Sequence, residues 1–138
     1  MTVESGRLVV IDSSALVALL ADSGPAGTWA ADEVAGASLA APHLALFEAS
    51  NVLRRQGLSG ALVGDQATLA HADLLALPIE LWPYAPLAER AWELRGALTG
   101  YDASYVALAE LFGAPLVTLD ARLAKAPGPR CPIRTFPA

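Results

Sequence analysis

Four acids stand where a carboxylate is costly to keep: Asp12, Glu48, Asp102 and Asp120. Asp12 ends the run Leu8-Val9-Val10-Ile11, and Asp120 ends Pro115-Leu116-Val117-Thr118-Leu119. Glu48 interrupts Leu44-Ala45-Leu46-Phe47 and Ala49, and Asp102 opens the stretch from Ala103 to Phe112. A charge among apolar neighbours is unfavourable unless it is paired or coordinated. With no obvious basic partner read beside them, the four suggest a site of oxygen ligands for a hard cation, Mg2+ or Mn2+.

The elements that must position these acids follow from hydrophobic periodicity. Leu8 to Ile11 is a continuous apolar run of the buried, parallel-sheet type. Ser13 to Ala21 and Ala26 to Val34 read as helices around the turn Asp22-Ser23-Gly24-Pro25. Ser38 to Ala41 is a short strand candidate, and His43 to Gln56 has helical spacing with Gly57 as its stop. Leu62 to Ala76 reads as a helix, Ile79 to Trp82 as a strand, and Pro86 opens a helix running to about Leu98. Asp102 to Phe112 is the next helix, closed by Gly113. Pro115 to Leu119 is a second strong strand, followed by a short helix near Ala121 to Lys125 and an edge strand, Ile133 to Phe136. This alternation predicts one α/β domain across residues 1–138, helix-rich, around a short parallel sheet of four or five strands.

In open parallel sheets, sites form beyond the C-terminal ends of the strands. Asp12 and Asp120 stand at two such ends, and the helix opened by Asp102 would point its N-terminus at the same rim. Thr118 shares a strand face with Asp120. Asn51 and Arg55 fall on one helical stripe with Glu48. Plainer roles compete. Asp12, Asp102 and Asp120 could each cap a helix, and Glu48 could form a buried pair with Arg54 or Arg55. Capping does not account for Glu48, which sits in mid-helix.

The whole chain narrows the classes. It has 138 residues, enough for one core, with 54% hydrophobic and only 17% charged residues. Typical soluble domains carry about 25% charged residues. That excess of apolar surface implies a thick core, a partner interface, or both. No apolar run approaches the roughly 18 residues of a membrane span, and the segment from Met1 to Arg7 does not read as a signal peptide. Cys131 is the only cysteine, which excludes an internal disulfide and fits a reducing cytoplasm. The formal charge of -5 argues against nonspecific, charge-driven binding to nucleic acid. It leaves room for a metal-dependent nuclease, whose acids a cation would neutralise. Basic residues are scarce, and all but Lys125 are arginines, suited to bidentate phosphate contact.

Other chemistries find little support. His43 and His71 form no zinc-binding motif, and no cysteine cluster exists. Ser13 and Ser14 lack the nucleophile-elbow pattern. Glycine-rich nucleotide-binding fingerprints are absent. Trp29, Trp82 and Trp92 are scattered, as core or interface residues would be.

Four segments resemble the acidic motifs of PIN domains, in order: Val9 to Leu16, Glu48 to Leu53, Thr99 to Ala109, and Leu116 to Ala124. Order, spacing and length together are similar to VapC-type toxins of type II (VapBC) toxin–antitoxin pairs. The resemblance implies a PIN-like three-layer fold, a parallel sheet flanked by six or seven helices. It implies a metal-dependent endoribonuclease in which Asp12, Glu48, Asp102 and Asp120 bind Mg2+ or Mn2+. Asp120 corresponds to the position whose participation varies most in the family. Ser14, Asn51 and Thr118 match polar positions that support the cluster by hydrogen bonding. The implied partners are a VapB-type antitoxin, lying across the first two helices and Leu44 to Leu53, an RNA such as tRNA or rRNA, and a second copy of the chain. No membrane is implied.

Two other classes also place acids this way. A receiver-like phospho-acceptor domain clusters carboxylates at strand ends, but needs a lysine after a late core strand, and Lys125 is poorly placed. A non-catalytic interaction module would use the acids only as caps. A structure-specific DNA nuclease of the flap type would need DNA-binding elements for which a chain of this length has no room.

Overall fold

The computed structural model describes residues 6–137. The N-terminal segment considered for a signal peptide lies mostly outside them. Five parallel strands form one sheet: β1 (Leu8–Ile11), β2 (Ser38–Pro42), β3 (Ile79–Trp82), β4 (Leu116–Thr118) and β5 (Ile133–Thr135). Their spatial order is β3-β2-β1-β4-β5, with Val10 opposite both Ala40 and Leu116. β1 is therefore central, and Val9, Val10 and Ile11 have no exposed surface. Their unbroken β-branched run is what a strand covered on both faces requires.

Seven α-helices flank the sheet: α1 (Ser13–Ala21), α2 (Pro25–Val34), α3 (Leu44–Ser59), α4 (Gln66–Ala76), α5 (Ala88–Glu93), α6 (Gly100–Phe112) and α7 (Ala121–Lys125). Crossovers from β1 to β2 to β3 run one way along the sheet, and those from β3 to β4 to β5 run back. Right-handed connections then put α1–α4 on one face and α5–α7 on the other. The contacts agree, since α1 packs on α2, α3 and α4, whereas α5 packs on α6. The result is the three-layer α/β arrangement expected from the sequence.

The connection order reverses between β1 and β4, which creates a crevice beyond their C-terminal ends. The helices that follow β1 and β4 start there. α6 delivers its N-terminal turns to the same rim, because a crossover helix runs antiparallel to its strands. α6 is buried almost all round, from Ala103 to Ala109, and lies against β1, β2 and β4. A helix apolar on all sides belongs inside.

Several boundaries differ from the sequence reading. α3 does not stop at Gly57 but continues to Ser59, and Gly60 ends it in the left-handed region at φ 86°. Gly57 serves instead as a close approach, for a Cβ there would lie 3.1 Å from that of Ala67 in α4. α4 begins at Gln66, not Leu62, because Gly64 has φ 60° and breaks helical continuity; the Gln66 side chain accepts from Val63 N at 2.8 Å. The helix expected from Pro86 to Leu98 is a 3-10 turn (Ala85–Leu87), the short α5, and then turns. α6 starts at Gly100 with Thr99 as its cap, so Asp102 lies inside the first turn. β4 and β5 are each shorter than expected, and β2 reaches Pro42. Trp29 and Trp82 meet Phe136 and Phe112 edge-on, whereas Trp92 is exposed with the Arg95 guanidinium 4.6 Å from its ring.

Away from the rim, Glu110 ties α5, α6 and the loop before β5 together. It accepts from Arg90 Nε at 2.6 Å and Nη2 at 3.2 Å, and from Arg130 N at 2.7 Å. Burial raises this carboxyl, but the Arg90 hydrogen bonds, the Arg130 N–H and both positive charges outweigh it and hold the group below its ordinary 4.5. A depressed acid stabilises the fold above its unfolded value, and that contribution is lost as pH falls through the folded value. Glu110→Gln should cost about 1.5–3 kcal/mol at neutral pH. Urea unfolding checks this, and the difference from wild type should shrink below about pH 4. A constant difference across that range would contradict the assignment.

Candidate acidic site

Asp12 ends β1 and caps α1. Its Oδ1 accepts from Ala15 N at 3.0 Å and from Ser14 Oγ at 2.6 Å, and its Oδ2 accepts from Thr118 Oγ1. Only 6% of the residue is exposed. Burial raises its pKa; the Ser14, Thr118 and Ala15 hydrogen bonds oppose the rise, and the charge of Asp102 adds to it. Ser14 and Thr118 thus both donate to Asp12, and they also hold the next turn. Ser14 Oγ accepts from Leu119 N, and Thr118 Oγ1 accepts from Asp120 N, both at 2.9 Å. β1, α1 and β4 are stitched together through one carboxylate.

Asp102 sits in the first turn of α6, where the partial positive charge of a helix N-terminus favours an anion. The reading of Asp102 as the cap of its helix is corrected: Thr99 Oγ1 accepts from Asp102 N at 3.1 Å. Asp102 is raised by burial and then by the charge of Asp120, with Arg122 and Thr99 opposing. Asp120 does cap α7, accepting from Arg122 N at 3.0 Å. It also has a basic partner after all: Arg122 grips it with Nε at 3.0 Å and Nη2 at 2.7 Å. That guanidinium, ahead of burial, holds Asp120 below its ordinary 3.8.

Glu48 is half-buried in α3, and neither Arg54 nor Arg55, both exposed, pairs with it. Its partner is Tyr105 of α6, whose hydroxyl donates to Glu48 Oε1 at 2.6 Å. Burial, then Glu48, pushes the Tyr105 phenol far above its ordinary range, so it stays a donor. Asn51 is exposed, and no hydrogen bond joins it to the acids among the described residues. Tyr105, Arg122 and Thr99 are the residues that motif reading left without a role. Thr99-Gly100-Tyr101-Asp102 did carry a signal, the Thr-x-x-Asp pattern that starts helices.

Asp12 feels Asp102, and Asp102 feels Asp120. Glu48 joins through Tyr105, which also feels Asp12. Among the described residues, no three acids, histidines or cysteines already stand close enough to enclose an ion. The donor chemistry nonetheless fits a hard divalent cation: every group is a carboxylate, and two are raised by burial and by a neighbouring acid. Mg2+ keeps several waters and is usually held through one or two carboxylates, so a closed cage is not required.

The PIN domain family model matches residues 9–129. Ribonuclease VapC12 of Mycobacterium tuberculosis is 35% identical over 121 residues, 88% of this chain and 93% of that protein. Ribonuclease VapC1 of the same organism is 40% identical over 126 residues, 91% of this chain and 95% of that protein. The crystal structure of VapBC2 from Rickettsia felis, bound to a promoter DNA fragment, is similar in fold. Its TM-score is 0.66 at 14% identity, covering 95% of this chain and 100% of that one.

Proposed function

The chain belongs to the PIN domain family, and on that premise we propose that it is the toxin of a type II toxin–antitoxin pair, an endoribonuclease hydrolysing RNA phosphodiester bonds. The observation that supports this reading is that Asp12 at the end of β1, Asp102 in the first turn of α6 and Asp120 at the cap of α7 lie near enough for one charge to act on the next, with Glu48 of α3 tied to α6 through Tyr105. Asp12 and Asp102 are assigned to hold the cation, Mg2+ or Mn2+. Glu48 would complete the coordination or accept a proton from the attacking water. Asp120 ranks last because Arg122 already neutralises it. Bound there, the cation would supply charge stabilisation at the phosphate and a water of lowered pKa. Ser14 and Thr118 fix the orientation of Asp12.

The receiver-like alternative loses ground on topology. Receiver domains have strand order 2-1-3-4-5, whereas this sheet is ordered 3-2-1-4-5. Lys125 ends α7 rather than following a late core strand at the rim.

The reading takes residues 1–138 as one domain in the cytoplasm, acting on tRNA or rRNA, with a small antitoxin as partner and a second copy of the chain as a further one. No helix among the described residues is long and apolar enough to cross a membrane. A groove of about 510 Å³ between α1 and α3, lined by Val17, Ala18, Ala21, Val52 and Leu62, opens beside Ser13 and Ser14. Phe47, Leu58, Leu69 and Leu75 are exposed on α3 and α4. Both features support an apolar partner segment across α1, α3 and α4.

Sequencing RNA 5′ ends after induced expression, with Asp12→Asn as control, tests the activity. Discrete new ends should appear with the wild-type chain only. Identical end profiles for both chains would refute the proposal.

A further inference from the structure

The Tyr105 ring is buried, and its residue follows Asp102 by three positions, so one face of α6 carries both. Its hydroxyl reaches a helix of the opposite layer, 57 residues away in sequence. An O–H···O bond of 2.6 Å to a carboxylate lies in the short, charge-assisted class. Among the described residues, no other side-chain hydrogen bond or ion pair holds Glu48. A glutamate left unheld samples several rotamers and must be ordered before it can act as a ligand.

We propose that Tyr105 is a positioning residue for the cation site: by donating to Oε1 from α6, it locks Glu48 of α3 in one orientation and leaves Oε2 for the divalent ion. α6 then supplies the rim with a ligand, Asp102, and with the group that orients a second ligand from across the sheet. Hydrogen-bond partners that orient a ligand typically matter 10- to 100-fold in metal affinity. The inference rests on the assignment of Glu48 to the cation site.

A tyrosine that only packs would behave differently, because phenylalanine keeps the ring. The test is calorimetric titration with Mn2+ of the full chain, stripped with EDTA and dialysed, in wild-type, Tyr105→Phe, Glu48→Gln and doubly substituted forms. Tyr105→Phe should weaken Mn2+ binding about tenfold or more. In the Glu48→Gln background, the same change should add nothing, because the two residues act as one unit. Glu48→Asp keeps the charge but withdraws it from the hydroxyl, and should lose affinity comparably. It also serves if Tyr105→Phe fails to fold. Wild-type affinity in Tyr105→Phe or Glu48→Asp, or effects that multiply in the double variant, would overturn the positioning role. If Glu48→Gln binds Mn2+ as wild type does, or the wild-type chain does not bind it, the assignment of the site itself fails.

Discussion

Asp12→Asn should abolish RNA cleavage while leaving the fold standing. Loss of the central ligand removes charge stabilisation and water activation together, worth about 4 kcal/mol, or on the order of 10³-fold in rate. The fold survives because the hydrogen bonds can be rearranged. Asparagine Oδ1 still accepts from Ser14 Oγ and Ala15 N, and its amide replaces Oδ2 opposite Thr118. The Thr118 hydroxyl must then accept rather than donate. It can, since a hydroxyl has two acceptor positions and Asp120 N occupies one. Its own proton turns towards Ser14 Oγ, 3.4 Å away. Removing a buried charge offsets part of what the weaker bonds lose. Net stability should move by about 1 kcal/mol at most, a few degrees in melting temperature. Single-turnover cleavage of a mapped RNA together with a circular dichroism melt measures both effects. Cleavage within tenfold of wild type in a folded variant would remove Asp12 from the site.

How much of this site was legible depends on whether each partner is local. Asp12 and Asp120 could be placed at the C-terminal ends of strands because continuous apolar runs before them allow one main reading, a buried strand. Their capping was legible too, since a helix must begin soon after. Capping and cation binding are compatible uses of one carboxylate, so finding the cap at Asp12 does not remove the cation. Arg122 escaped because residues two apart do not meet on a helix face. They meet here because Asp120 is still extended, with φ -90° and ψ 100°, as α7 begins. Tyr105 escaped for the opposite reason. Its helical register was readable, but its partner lies on a helix from the other side of the sheet, a contact set by topology. The helix ends were misread at Gly57 and Gly64, because sequence does not reveal which glycine of a cluster turns left-handed.

The pairing of Arg122 with Asp120 orders the four acids. Asp120 is neutralised within the chain, whereas Asp12 and Asp102 have no cationic side chain bonded to them among the described residues. Their neutral hydrogen bonds do not compensate for burial, and both remain raised. An uncompensated pair beside a compensated third is the electrostatic arrangement in which an added divalent cation gains most.

Chelation should therefore stop cleavage, and Mg2+ or Mn2+ should restore it, with a matching signature in stability. The sign follows from the raised carboxyls. A folded acid with a raised pKa retains its proton where the unfolded chain releases it. Stability of the cation-free protein thus falls as pH rises from the ordinary aspartate value of 3.8 through the folded values. Where both acids are charged they repel, which is the condition a cation relieves. A cation at a hundredfold excess over its dissociation constant should then stabilise the fold by about 2.7 kcal/mol. Below about pH 4 the carboxyls are protonated, no ligand is presented, and the gain should vanish. Melting curves between pH 4 and 8, in EDTA and in excess Mg2+, read this directly. Cleavage that persists in EDTA, or a Mg2+ effect of equal size at both ends of the range, would mean that Asp12 and Asp102 do not hold the cation.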